Sequence, residues 1–374
     1  MDARWGRGFV VLSFLVGCSS SSSTAVDGTA PDASSGPAVP TSRANGTLTS
    51  WTTAAPMPTP RGNHCAVAAN GFLVVIGGNY KPAGKTDFVN IADVHVARIA
   101  ADGSLGAWKL AGKTPSPVNS CTAASDGKDV YLVDGIFDDM NAGSKVRRAT
   151  LSDAGDLGAW DELGPLPNGV RVLYSNAAVT NGHLQAFEAR LPNDGNAIAL
   201  VGAPVSGTSL GAWQQTSWLT GFRGHPQYAF ATTAGASYVY ALGGYSSGDT
   251  GNTVLADGAG AALGANGTPG KSFTVRALPK PTSFGQAIAV DDYLFVIGGK
   301  DGVLTGTGSA DVFVAKIGDG GALDPWTTVK PLPQGRTSLA VAMSGDFVFV
   351  TGGGFDAGGL DTVFSARVRF PVSP

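Results

Sequence analysis

A chain of 374 residues with 54 glycines, only 14% charged residues and a formal net charge of −3 lacks the concentration of Lys and Arg that a polyanion-binding face needs, so nucleic acid is not an expected partner. Length alone would allow two or three domains, but a repeat can spread one fold over all of it. β-branched and aromatic runs recur between Gly and Pro clusters, which predicts an all-β protein of many short strands.

At the N-terminus Arg4 and Arg7 precede the apolar run Phe9 to Val16, which is too short to cross a bilayer as a stable helix. Residues 1–17 therefore read as a signal peptide. The phrase Leu15-Val16-Gly17-Cys18 resembles the bacterial lipobox; the resemblance implies that the Cys18 thiol receives a diacylglycerol and that Cys18 becomes the first mature residue. Ser19 stands where an Asp would resemble an inner-membrane retention signal, so the outer membrane is the expected destination, on its periplasmic face or at the cell surface. Residues 18–45 are rich in Ser, Ala, Pro, Gly and Thr and predict a flexible tether with membrane contact through the lipid alone.

From residue 46 onward a unit of about fifty residues repeats. Its end is the phrase Gly103-Ser-Leu-Gly-Ala-Trp108, seen again as Gly155-Asp-Leu-Gly-Ala-Trp160, Leu210-Gly-Ala-Trp213 and Gly321-Ala-Leu-Asp-Pro-Trp326. After each Trp come a polar stretch, often with a Pro pair such as Pro56-Met-Pro58, and a small-residue strand such as Ala66-Val-Ala-Ala69. An apolar strand ending in Gly-Gly follows, as in Phe72 to Gly78, Tyr238 to Gly244, Tyr293 to Gly299 and Phe347 to Gly353. A third strand alternates, as in Asp93 to Arg98 and Asp311 to Lys316.

Four strands per unit is the arithmetic of a propeller blade. The Gly-Gly doublet closing the second strand and the Trp of the fourth resemble the kelch repeat over about residues 46 to 370, which implies an all-β, six-bladed kelch-like β-propeller spanning 46–374. Paired glycines relieve crowding where the backbone turns, and a buried Trp is expected to fill the gap between blades. Three units depart from the pattern, with Asp134-Gly135 and Glu188-Ala189 in place of the doublet and Phe273 in place of the Trp. The sixth unit shows no clear fourth strand before Pro374, whereas Gly46-Thr-Leu-Thr-Ser-Trp51 repeats the Trp phrase with no preceding unit. The N-terminal strand is expected to complete the last blade and leave no open edge. Cys65 and Cys121 occupy the same place in units one and two, and either a disulfide or two buried free thiols is consistent with that equivalence.

Propellers bind at the mouth of the central channel. Aligning the inner strands puts Arg61, Arg223 and Arg336 at equivalent positions, with Arg171 one residue away and His64 and His225 beside them. Such a rim suits a carboxylate-bearing ligand, because each guanidinium presents a planar fork; the alternative is that the arginines bond backbone carbonyls of a neighbouring blade. The four histidines, His64, His95, His183 and His225, have no Cys or carboxylate at a diagnostic spacing, so neither metal nor cofactor is expected. Gly207-Thr-Ser-Leu-Gly211 matches a nucleophile-elbow pattern but runs into the Trp213 phrase instead of a helix. Acidic loops at Phe137 to Asn141 and at Asp301-Gly302 lack calcium-ligand spacing. The expected function is a monomeric, lipid-anchored extracytoplasmic module presenting one face to an envelope or surface protein or a glycan. The alternatives are a sugar-acting enzyme similar to bacterial sialic-acid mutarotases and a structural part of an envelope assembly.

Overall fold

The computed structural model describes residues 47–138, 145–187, 197–220, 223–248, 251–302, 308–354 and 358–369. Among them there is no α-helix, only antiparallel strands and two short 3-10 turns. Cys18, the signal peptide, the tether and Gly46 lie outside the described residues, as do Glu188, Ala189 and the acidic loop beyond Asp138.

Along the chain the strands fall into successive antiparallel repeats. The first contains β3 (Cys65–Ala69), β4 (Phe72–Ile76), the short β5 (Asn79–Tyr80) and β6 (Val89–Ile99), and ends on the first part of β7 (Leu105–Ser125). The same 21-residue β7 continues as the innermost strand of the second repeat, followed by β8 (Asp129–Phe137), β9 (Lys145–Thr150) and β10 (Asp161–Pro165). The third holds β11 (Ala177–Thr180), β12 (His183–Phe187), β13 (Ala197–Ser206), β14 (Ser209–Leu210) and β15 (Gln214–Thr220). In the fourth are β16 (Gln227–Thr232), β17 (Ser237–Leu242), a hairpin of β18 (Tyr245–Gly248) and β19 (Gly251–Val254), β20 (Gly258–Leu263) and β21 (Phe273–Val275). The fifth runs β22 (Gln286–Val290), β23 (Tyr293–Ile297), β24 (Val312–Lys316) and β25 (Thr327–Thr328). The last has three strands of its own, β26 (Ala340–Ser344), β27 (Phe347–Thr351) and β28 (Val363–Arg369).

Its fourth strand comes from the chain's beginning. Both β1 (Thr47–Leu48) and β2 (Thr52–Ala54) pair antiparallel with β28, in the register Thr47↔Arg369, Leu48↔Val368, Thr52↔Ser365 and Ala54↔Val363. The outer edge of β28 is thereby covered by the N-terminal segment, which removes a template for association with another chain.

The second strands β4 and β23 are apolar at every position because both faces of their sheets are covered. In β4, Phe72, Val74 and Ile76 belong to one core cluster, while Leu73 and Val75 belong to another. Likewise Tyr293, Phe295 and Ile297 of β23 face one cluster and Leu294 and Val296 the other. The core is thus six clusters, each between two consecutive repeats, and the sixth joins Leu73 and Val75 of the first repeat to Ala342 and Phe349 of the last. The innermost strands follow the same order, β3 beside β7, then β11, β16, β22, β26 and β3 again.

Four of the seams carry the same backbone device. Gly78, Gly244, Gly299 and Gly353 all have φ between 85° and 97°, and each donates its N–H to the next repeat: to Val118 O at 2.8 Å, Thr282 O at 2.7 Å, Arg336 O at 3.0 Å and, from last to first, Arg61 O at 2.9 Å. A Cβ on Gly353 would stand 2.6 Å from Thr337 O, so the second glycine of the doublet is required by both its conformation and its surroundings.

The Trp residues stand at or just before the outermost strands and are half-buried, not enclosed as expected. Four of them are tied by the indole N–H to the segment that follows the preceding repeat's own Trp or Phe. Trp108 Nε1 donates to Ala55 O (2.9 Å), Trp160 to Lys113 O (2.8 Å), Trp326 to Arg276 O (3.0 Å) and Trp51 to Lys330 O (3.0 Å). Trp51 therefore behaves as the Trp of the last repeat.

A chain starting at Ala55 should unfold at a temperature lower by roughly 5–10 °C than one starting at Ser42, since it loses Leu48, Trp51 and two paired strands. Calorimetry checks this, and equal midpoints would contradict the closure.

Candidate functional site

Where the six innermost strands begin, six residues form a closed circuit. Asn63, Ser120, Tyr174, His225, Phe284 and Ser338 all have left-handed φ values between 44° and 57°. Their backbones link repeat to repeat: Ser120 N donates to Asn63 O (2.7 Å), Tyr174 N to Ser120 O (3.2 Å), Asn63 N to Ser338 O (3.0 Å), Ser338 N to Phe284 O (3.0 Å) and Phe284 N to His225 O (3.3 Å). Between His225 and Tyr174 the contact is made by the rings, edge to face at 4.5 Å. A left-handed residue turns the chain sharply from the connecting segment into the strand, which lets the N–H of one repeat meet the C=O of the next.

The circuit frames a cavity of about 70 Å³ lined by residues of every repeat, including His64, Thr122, Asn176, Gln286 and Leu339. This volume admits water and is well short of the roughly 300 Å³ of a small-molecule pocket. Among the described residues lining it there is no carboxylate. Thr122 Oγ1 and His64 Nδ1 are buried with no hydrogen-bond partner, so polar capacity is left over at the channel wall.

Cys65 and Cys121 lie on adjacent innermost strands with their α-carbons 5.8 Å apart and their sulfurs joined in a disulfide. The separation is within the span a disulfide bridges.

The arginines do not form an open rim. Arg61 and Arg336 are 0% and 1% exposed, and both reach into their own repeat toward the glycine doublet. Arg61 Nη1 donates to Gly77 O at 2.8 Å and Arg336 Nη1 to Gly352 O at 2.9 Å. Arg223 Nη1 does the same to Gly243 O at 2.5 Å and also pairs with Asp257 at 2.7 Å. Arg171 donates instead to Gly135 O of the preceding repeat, at 2.8 Å. Arg61 further contacts Nδ1 of the buried His95 at 3.2 Å, and Arg336 lies over the Phe364 ring at 4.3 Å.

The physical reason is the doublet itself. Its left-handed turn leaves the first glycine's carbonyl inside the protein, and a guanidinium is the side chain with enough donors to satisfy it there. Burial draws the Arg61 and Arg336 guanidiniums down to about 10, a cost that their hydrogen bonds offset. A ligand carboxylate has no route to either. The signal was present in the sequence as an arginine ahead of three of the doublets, 16 residues before Gly77 and Gly352 and 20 before Gly243.

The two expected histidines part company. His64, 5% exposed, contacts Thr351 Oγ1 of the last repeat through Nε2 at 2.8 Å and so bridges the seam between chain beginning and chain end. Burial, then the positive fields of Arg61 and Arg336, hold its pKa well below the ordinary histidine value. His225 belongs to the circuit, with Phe284 stacked on it at 4.0 Å; burial, then Lys300, lowers it to about 4. No group of three or more His, Cys, Asp or Glu side chains with metal-binding geometry occurs among the described residues.

A depressed pKa makes His64 a source of pH dependence with a definite sign. Below about pH 6.5 the unfolded chain binds a proton at this residue that the folded chain refuses, so stability is full above that pH and falls as the pH drops. Between pH 7 and pH 5 the protein should lose more unfolding free energy than a His64→Gln variant. Denaturant titrations of both proteins check this, and parallel losses would contradict it.

No family model matches this chain, and no curated protein matches it. Among solved structures it is similar to YjhT, with a TM-score of 0.60 at 14% identity over 85% of this chain and 99% of that one. At that identity the likeness shows the all-β fold alone.

Proposed function

We propose that the chain is a six-bladed kelch-type propeller, held to the outer membrane through an acylated Cys18, that binds a partner with the face carrying the residue circuit. The six interfaces between consecutive repeats, the glycine doublets that bridge them and the likeness to YjhT support the blade count. The lipobox resemblance at Leu15 to Cys18 supports the anchor.

The observation that carries the binding reading is a matter of register. β28 runs outward from the level of the circuit, and Thr47 pairs with Arg369 at its far end while Ala54 pairs with Val363 at its near end. The chain therefore enters the disc at the edge opposite the mouth and crosses to the mouth side before reaching Arg61. The mouth face is therefore on the side opposite Thr47, where the described residues begin. That face also carries exposed Phe88, Val89, Ile136 and Tyr174, apolar surface of the kind that marks interaction sites.

A photoreactive residue placed at Asn63 or Ser338, in cells of the source organism, should yield a cross-linked adduct that the same residue at Ser104 or Asp319, on the far side, does not. Replacing Cys18 by Ser should abolish acyl labelling and release the protein from the membrane fraction. Equal adducts from both faces, or none from the mouth, would count against the reading.

A further inference from the structure

The circuit forces a left-handed backbone at six positions, which Gly or Asn would occupy at least cost. Only Asn63 meets that preference. Three adjacent positions instead carry Tyr174, His225 and Phe284, and residues held in such conformations cluster at ligand sites, where the strain is kept for what the side chain does.

These rings are arranged as a support for one of them. Phe284 stacks on His225 at 4.0 Å, Tyr245 lies parallel to His225 at 5.9 Å, and Lys300 Nζ sits 4.9 Å from the Phe284 centroid. Tyr174 stands edge-on to His225 with an interplanar angle of 63° and is 39% exposed. Across the mouth the circuit residues are Ser338, Asn63 and Ser120. Ser120 Oγ is engaged with Asn119 Oδ1 (2.6 Å) and Asn63 Nδ2 with Asn79 Oδ1 (3.4 Å). Asn63 Oδ1 and Ser338 Oγ have no hydrogen-bond partner among the described residues. Below them lies Thr122, 1% exposed, with its hydroxyl unpartnered.

One half of the mouth thus offers an aromatic surface and the other offers amide and hydroxyl groups, above a cavity of about 70 Å³ that admits water but no ring. A pyranose has the matching shape: one face of C–H bonds, weakly positive and attracted to the negative face of an aromatic ring, and a rim of hydroxyls. An apolar peptide side chain would leave the polar half unused.

We infer that the mouth binds a saccharide unit, seated on top of the channel with Tyr174 as its stacking platform and Asn63 and Ser338 as partners of its hydroxyls. This rests on the binding-module reading and narrows it.

The test is a printed glycan array probed with the detergent-solubilised full chain. The wild type should bind a defined set of glycans, Tyr174→Phe should keep it, and Tyr174→Gly should lose at least about tenfold in signal. Tyr174→Gly also removes the ring contact with His225 that joins the third and fourth repeats, so the control is His225→Ala, which loses the same contact but keeps the Tyr174 ring and should keep the signal; equal loss in both overturns the stacking role. A folded wild type that binds no glycan, or binding that survives Tyr174→Gly, overturns the inference. If the array is empty while cross-links from Asn63 and Ser338 persist, the saccharide falls and the binding module stands; if both are empty, both fall.

Discussion

The fold depends on hydrogen bonds that leave one sheet and end on the next. Within a repeat the strands satisfy one another, but the turns that enter and leave the innermost strands would bury unpaired amides and carbonyls if each repeat stood alone. The left-handed circuit and the glycine doublets resolve this by pairing those groups across the seam. The N–H of Gly353 on Arg61 O does for the last and first repeats what Gly299 does for the fifth and sixth. A buried arginine then ties its carbonyl's receiving end to its own doublet, so Arg336 and Arg61 act in series. Since every seam uses its neighbour, the chain's two ends must meet, and β1 and β2 on β28 are how they do so.

Much of this was legible because the devices that repeat by residue type are visible as letters. The apolar second strands, the Gly-Gly doublets and the Trp phrase identified the four-strand unit, and the stray phrase before Trp51 pointed to the missing strand. The circuit was not legible, because Asn63, Ser120, Tyr174, His225, Phe284 and Ser338 share a backbone conformation and no side-chain chemistry. The arginines were aligned correctly, and they bond backbone carbonyls as the second of the two readings has it, but Arg61, Arg223 and Arg336 do so within their own repeat. Alignment gives the position of a residue along a strand, whereas the direction of Arg61 is decided by which buried carbonyl lacks a donor. The Trp side chains were expected as buried wedges, yet a half-exposed indole whose N–H finds a carbonyl of the preceding connection serves the seam as well.

The same division separates what stabilises the disc from what it shows to a partner. Arg61, Arg336 and His64, chemically the most suggestive side chains, are spent inside the seams. The residues left facing outward at the mouth are uncharged and amphipathic, with aromatic rings on the third to fifth repeats and small polar groups on the sixth, first and second. The groups held by the strictest backbone constraint also lie on the side opposite Thr47, where the described residues begin.

Closure through the last seam is the claim on which the rest stands, and native-state amide hydrogen exchange reads it directly. The account predicts that the N–H groups of Gly353 and Asn63, which cross from last repeat to first, are protected to the same degree as those of Gly299 and Ser338, which cross between the fifth and sixth. Exchange at Gly353 and Asn63 faster by more than about a hundredfold, equivalent to roughly 2.7 kcal/mol of local opening, would mean that the ring is a row with two loose ends.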